Sequence, residues 1–205
     1  MFGHLIDLRQ DLSPIFWVCA IQEPDWARYQ GKPRGAEKAP RQRYCENRSM
    51  LKTTYEQLAP VAYPLVNRFY KQAREKGKTQ GSDEVYVARV ESEIIAAVRI
   101  CPVHEGGQST GTTPKKLLLR SLAVLPDYRR TGVGSQFMDY VVTQLGAREC
   151  WCYPFSWLQG FYEQSGFEFV APEYAPESIR GPFENYRRQG RDILIMVRRA
   201  VVADD

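Results

Sequence analysis

Apolar and polar positions along this chain switch between two periods, and the switches mark its elements. Leu117 to Val124 is an almost unbroken apolar run, Leu-Leu-Leu-Arg-Ser-Leu-Ala-Val, with the length of a buried strand. Pro126 ends it. After a polar turn the period becomes helical: Val133, Phe137, Tyr140, Val141 and Leu145 share one face, and Gly146 is the stop. Upstream, Leu65, Val66, Phe69, Tyr70 and Ala73 form a second helical stripe, with Arg68, Lys71, Arg74 and Lys76 mostly off it. Before that stripe, Thr54-x-x-Gln57 reads as a capping box, and Pro60 or Pro64 suits a first helical turn.

Between these two patterns, Glu84 to Val90 and Glu93 to Cys101 read as strands, and Glu91-Ser92 is short enough for a hairpin. His104 to Thr113, rich in Gly, Ser and Thr, is a loop before the central strand. Downstream come a strand (Glu149 to Tyr153) broken by Pro154, a short helix (Ser156 to Gln164) and a strand (Phe167 to Val170). A helix (Glu177 to Tyr186) and a last strand (Asp192 to Val197) follow. Strands interleaved with helices in this order predict an α/β or α+β domain: a mixed central sheet flanked by helices.

Residues 1–50 fit this scheme least. Ile15 to Ile21 is an apolar run that reads as a candidate strand, and Gln30 to Arg48 carries Lys32, Arg34, Lys38, Arg41, Arg43 and Arg48 among Gly and Pro. The basic stretch is either a solvated linker or an arm for RNA or an acidic partner. Sparse aromatics and the diluting Glu37 and Glu46 favour the linker. The expected organisation is an irregular N-terminal extension over 1–50 and a folded domain over 51–205, which suits a length of 205 residues.

Composition narrows the partners. A net charge of +4 suits anionic ligands but is too small to argue for nucleic acid. No apolar run reaches membrane-spanning length and no basic-then-apolar leader opens the chain, so a cytoplasmic protein without a membrane partner is expected. The five cysteines, Cys19, Cys45, Cys101, Cys150 and Cys152, are odd in number and irregularly spaced, which argues against a disulfide framework. Cys150 and Cys152 would share one strand face, but His4 and His104 are distant in sequence, so no metal site is expected.

The candidate chemistry sits where the central strand gives way to its helix, at Arg129-Arg130-Thr131-Gly132-Val133-Gly134-Ser135. A helix N-terminus offers unpaired N–H groups and a partial positive charge. Gly132 and Gly134 allow close approach to the backbone, and Arg129 and Arg130 add charge suited to phosphate. The Walker pattern and the third glycine of a dinucleotide fingerprint are both absent. What is present is Val124-x-Pro126-x-x-Arg129-x-x-Gly132-x-Gly134, followed later by Phe161-Tyr162-Glu163-Gln164-Ser165-Gly166-Phe167.

These two segments resemble the acetyl-CoA-binding motif and the second signature of the GNAT superfamily of N-acetyltransferases, and the resemblance spans roughly Leu65 to Ala200. It implies the GNAT arrangement, in which the central strand and the Glu149 strand splay apart to admit the cosubstrate acetyl-CoA. It implies that the turn amides of Arg129 to Ser135 hold the pyrophosphate and that Leu122, Ala123 and Val124 bind the pantetheine arm and polarise the thioester carbonyl. A bulge in that strand would free N–H groups for this purpose. It also implies that Tyr162 stands beside the sulfur as general acid.

Two positions depart from the family. Many relatives carry a glutamate base where this chain has Leu118, and an asparagine for the pantetheine where it has Phe155; the neighbouring Ser156 is the candidate substitute. The missing base matters, because a lysine-like amine with a pKa of about 10.4 is only about one part in a thousand neutral near pH 7.4. His104, Glu105, Glu163 or a water chain are the alternatives, and an acceptor of low pKa would need none. The leading expectation is an acetyl-CoA-dependent acyltransferase acting by direct attack of an amine on a small molecule or protein. The competing readings are a non-catalytic acyl-CoA-binding or regulatory module and a nucleic-acid-linked acetyltransferase. Association as a homodimer is left open.

Overall fold

The computed structural model describes residues 52–103 and 116–200. The strands in chain order are β1 (Thr53–Leu58), β2 (Glu84–Val90), β3 (Glu93–Pro102), β4 (Leu117–Val124), β5 (Cys150–Cys152), β6 (Glu168–Val170) and β7 (Ile195–Arg198). The helices are α1 (Tyr63–Gln72), α2 (Val133–Leu145), α3 (Gln159–Glu163) and α4 (Glu177–Arg188), with single 3-10 turns at Pro60–Ala62, Pro126–Tyr128, Ser156–Leu158 and Pro172–Tyr174. Among the described residues the strands form one sheet, in the order β1-β2-β3-β4-β5-β7-β6. Only β4 and β5 run parallel; every other neighbouring pair is antiparallel. The apolar run ending at Val124 and the helix from Val133 to Leu145 stand where the sequence pattern puts them. The Ile15–Ile21 run, the Gln30–Arg48 stretch, the His104–Thr113 loop, Cys19 and Cys45 lie outside the described residues.

Two expectations are corrected. Thr54 and Gln57 do not form a capping box: they lie in β1, which pairs with β2 along its whole length. Tyr55 explains why. In the strand its ring stacks on Phe137 (6.1 Å between centroids) and Tyr140 (5.3 Å) of α2, a burial that a helical cap would not supply. The second correction is Leu65, which is 46% exposed. The buried stripe of α1 runs through Tyr63, Val66, Phe69 and Tyr70 to Ala73, and Leu65 sits at its margin.

The sheet separates its helices. Successive strand residues face opposite sides, so Ala97, Arg99 and Cys101 of β3 point one way and Ala96, Val98 and Ile100 the other. α2 covers the second side: Tyr86, opposite Val98, meets Tyr140 edge-on at 6.2 Å. α1 and α4 cover the first. Tyr70 of α1 interacts electrostatically with Arg99 and Cys101, and Tyr186 of α4 accepts a hydrogen bond from Arg120 at 3.0 Å. Under α4, Ile179, Phe183 and Tyr186 close over Leu118, Trp151, Ile195 and Val197. Arg148, just past α2, ties that helix to β2 through a two-pronged bond to Glu84 at 2.5 and 3.0 Å.

Phe137 is fully buried in the larger core, between Tyr55 and the sheet. Phe137→Ala should cost about 3–5 kcal/mol, read as a lowered Tm in thermal unfolding. A loss within experimental error would mean that α2 does not anchor the sheet.

Candidate active site

β4 is central and buried, yet its backbone is incompletely paired. On the β5 side the ladder covers only Leu117↔Cys150, Leu118↔Trp151 and Leu119↔Cys152. From Arg120 to Val124 that edge has no strand partner among the described residues, because β5 ends at Cys152 and Pro154 follows. On the β3 side the register slips: Arg120 faces Arg99, but Ala123 faces Ala97. Ser121 and Leu122 together therefore oppose Val98, which is a bulge on β4. Ser121 takes a φ of +54°, a conformation uncommon for a residue other than glycine. The expected bulge is present, and it begins one residue ahead of the Leu122–Val124 segment.

The turn after β4 is shaped by backbone rather than by side chains. Arg130 (φ +60°) and Gly132 (φ +87°) both occupy the left-handed region, and Gly132 is the N-cap of α2. A glycine there contributes no capping side chain, and the first turn of α2 contains no acidic residue. The positive end of a 13-residue helix thus has neither a side-chain cap nor an acidic residue in its first turn to satisfy its amides. Arg129 donates from Nε to the Val124 carbonyl at 3.0 Å, and Thr131 from Oγ1 to the Tyr128 carbonyl at 2.7 Å, so two residues of the motif fix the turn itself. Arg130 and Ser135 are solvent-accessible beside it. A Cβ at Gly134 would lie 3.8 Å from both Val124 and Phe161, so Gly134 marks the spot where β4, α2 and α3 converge.

Tyr162 on α3 is fully buried, with its ring edge-on to Phe161 (5.2 Å) and Phe167 (5.7 Å). The downstream signature residues account for this. Gly166 (φ +78°) donates to the Glu163 carbonyl at 3.0 Å and Phe167 to the Tyr162 carbonyl at 3.1 Å, the two bonds of a Schellman stop. The reversal returns Phe167 onto Tyr162. Phe155 stacks on Trp157 at 4.3 Å. Ser156 already gives its hydroxyl proton to Asp192, leaving only its lone pairs for a ligand. Glu163 is exposed and accepts from Gln159 at 2.7 Å, whereas His104 and Glu105 lie outside the described residues.

A feature absent from the sequence reading lies on the α1 face. After α1, Arg74 takes a φ of +58° and turns the chain inward, and Glu75 donates its N–H to the Tyr70 carbonyl at 2.7 Å. Glu75 is thereby only 4% exposed. Its side chain lies among Tyr70 and Arg99, with Arg120 and Arg191 close enough to interact electrostatically. The Gly77 amide and the Ser121 hydroxyl approach the carboxylate and favour its charge, but neither completes a well-formed hydrogen bond to it. Desolvation dominates and pushes the Glu75 pKa from 4.5 to about 8. Asp83, by contrast, faces Arg99 at 3.6 Å in the same buried cluster. In sequence, Arg-Glu-Lys-Gly-Lys reads as a solvated charge run; no periodicity marks Glu75 as buried.

A mixed sheet with an interrupted central strand opens beside a helix whose N-cap is glycine, and the comparisons with known proteins bear on this arrangement. Residues 81–169 match the family model described as acetyltransferase (GNAT) domain. The fold is similar to the ribosomal-protein-S18-alanine N-acetyltransferase from Escherichia coli, at 16% identity and a TM-score of 0.51, covering 75% of this chain and 97% of that one. It is also similar to a Corynebacterium glutamicum protein described as histone acetyltransferase HPA2 and related acetyltransferase (13%, TM-score 0.51, covering 76% and 100%). A third similar structure is N-acetylglutamate synthase from Neisseria gonorrhoeae complexed with coenzyme A and N-acetyl-glutamate (15%, TM-score 0.50). That match covers 74% of this chain, which spans about a third (36%) of the length of the Neisseria enzyme. At these identities the likeness is one of fold. No curated protein matches the sequence. Among the described residues, no helix is long and apolar enough to cross a membrane, and no group of three His, Cys, Asp or Glu side chains could hold a metal ion.

The Glu75 environment makes stability depend on pH. The folded chain holds this proton more tightly than the unfolded chain, so stability should fall as pH rises from about 4.5 to about 8 and level off above. Glu75→Gln removes the titration. Its Tm relative to wild type should therefore improve steadily across that window, and a constant offset between the two Tm curves would contradict the assignment.

Proposed function

We propose that this protein is an acetyl-CoA-dependent N-acetyltransferase that moves an acetyl group onto an amine of a small molecule or protein by direct attack. The observation that carries the reading is the continuous path from the unpaired edge of β4, Arg120 to Val124, into the uncapped N-terminus of α2. An extended pantetheine arm needs free strand amides, and a pyrophosphate needs a helix N-terminus; here one follows the other in the chain.

The residues fit the cosubstrate in kind. Leu122, Ala123 and Val124 supply backbone groups along the open edge. Arg129, Arg130, Thr131, Gly132, Val133, Gly134 and Ser135 supply amides, glycine clearance and positive charge at the turn. Acetyl-CoA, when bound, supplies an acetyl thioester already activated toward nitrogen nucleophiles. The protein's part is to orient the arm, exclude water around the thioester and manage two protons. Tyr162 is the candidate for the proton at the departing sulfur, reached from α3 where Phe161 meets Gly134 and Val124. Ser156, its proton committed to Asp192, can only accept from the arm.

Two of the described cysteines speak for direct attack. Burial pushes the Cys101 thiol up to about 11 and the Cys150 thiol up to about 12, so neither supplies a thiolate at neutral pH. A non-catalytic acyl-CoA-binding module is the second reading, and Leu118 and Phe155 are the observations that favour it.

Two measurements test the reading. CoA should raise the Tm of the wild type. Gly132→Asp adds a negative charge at the helix N-cap, while Gly132→Asn tolerates the same left-handed backbone without the charge. CoA affinity should drop about tenfold or more for the Asp variant relative to the Asn variant. Equal affinities would remove the pyrophosphate assignment. Tyr162→Phe deletes only a hydroxyl, so kcat and kcat/KM should fall together by roughly 10²–10⁴-fold with CoA affinity intact. An unchanged rate would leave Tyr162 a core aromatic, and a wild type that binds CoA but acetylates no amine would favour the binding module.

A further inference from the structure

We infer that Glu75 is the proton acceptor for the incoming amine, delivered by the loop after α1 to the side of the sheet on which Leu118 lies. This rests on the acetyltransferase reading above and names the base that Leu118 cannot be.

Three observations place it. The first is the face. Leu118 and Arg120 alternate with Leu119 on β4 and stand opposite Cys101 and Arg99 of β3, so all four side chains leave the sheet on the α1 side. Glu75 feels the charges of Arg99 and Arg120 on that side. The second is contact with the bulge. A Cβ at Gly77 would fall 2.3 Å from Ser121 Oγ and 2.8 Å from Ser121 Cβ, so the loop carrying Glu75 is pressed against the residue where β4 leaves its ladder. Leu122, next in the chain, begins the segment proposed to hold the thioester. The third is the carboxyl itself. It is buried, and the Gly77 amide and the Ser121 hydroxyl approach its oxygens without completing a well-formed hydrogen bond; the Tyr70 hydroxyl beside it is unpartnered. A buried carboxyl is usually paired, because leaving it unpaired costs stability. Holding this one in place takes positive φ at Arg74 and at Ser121, backbone strain of the kind that collects at functional sites.

The protons balance. The acceptor ammonium gives one proton to the Glu75 carboxylate, and the freed nitrogen lone pair forms the C–N bond as the C–S bond breaks. The second nitrogen proton ends on the departing sulfur, and protonated Glu75 returns its proton to water. A carboxyl shifted to about 8 is well matched to this work, since a base is most effective when its pKa lies near the working pH. Tyr70 and Cys101 are held neutral by burial, while Arg99, Arg120 and Arg191 temper the shift and Asp83 stands opposite Arg99.

The test compares two amine classes on the full chain with acetyl-CoA, following thiol release. One class is alkylamines, protonated at pH 7.5; the other is methoxyamine, neutral at that pH. Glu75→Gln should lower kcat/KM for alkylamines by roughly 10²–10³-fold, keep CoA affinity and the wild-type fold, and leave methoxyamine within a few-fold of wild type. Glu75→Asp, a base drawn back by one methylene, should fall between. Glu75→Gln with unchanged alkylamine turnover would overturn the proposal. An equal loss for both amine classes in the Gln and Asp variants would also overturn it, because it marks a structural role. A wild type that binds CoA but turns over neither class fails differently: it removes the acetyltransferase reading, and the base with it.

Discussion

Everything at the candidate site depends on one strand being paired too little. β4 is at the centre of the sheet, where backbone amides are normally committed to both neighbours. Here three residues pair with β5 and the rest do not, while on the other edge an extra residue breaks the ladder with β3. The side chains around this defect are buried, so packing holds the strand where its ladders fall short: Leu119, Leu122, Ala123 and Val124 are each at most 5% exposed. The chain can then leave polar backbone unpaired in a rigid frame, which is the condition for binding an extended ligand arm without a reorganisation cost.

The frame was legible in the sequence wherever one period dominated. Leu117–Val124 and Val133–Leu145 were readable because each is long, apolar on the buried side and ended by Pro126 or Gly146. Thr53–Leu58 was not, because its pattern of Thr, Tyr, Glu and Gln is weak and a capping-box spacing falls inside it by chance. What makes it a strand is Tyr55 meeting Phe137 and Tyr140, residues more than eighty positions away in the chain. The motif residues of the turn were likewise visible, since glycine at a left-handed helix N-cap is a local requirement.

Glu75 shows where local reading ends. Nothing in Ala-Arg-Glu-Lys-Gly-Lys distinguishes the buried acid from its exposed neighbours Arg74, Lys76 and Lys78. Its burial is set by the reversal at Arg74 and by the room that Gly77 leaves at Ser121, and both are tertiary facts. Gly77 itself would have been the available hint: a glycine that does not need positive φ is there for closeness, and here the close neighbour is the bulge.

The departure at Leu118 and the acid at Glu75 can be read as two sides of one packing decision. Leu118 is covered by α4, among Trp151, Ile179, Phe183 and Tyr186, in a mainly apolar cluster whose polar groups are already bonded: the Tyr186 hydroxyl to Arg120, the Tyr153 hydroxyl to the Ile179 carbonyl and the Trp151 N–H to Glu149. A carboxylate at that position would be desolvated with no cation directly opposed to it, a cost that only neutralisation relieves. Moving the acid to the loop after α1 places it across the same face, near Arg99 and Arg120, whose charges offset part of the desolvation while the pKa still rises to about 8. The helix α4 then keeps its dry contact with the sheet, and the proton transfer proposed for Glu75 would fall to a segment held by turns, where a carboxyl can be positioned by backbone conformation without opening the core.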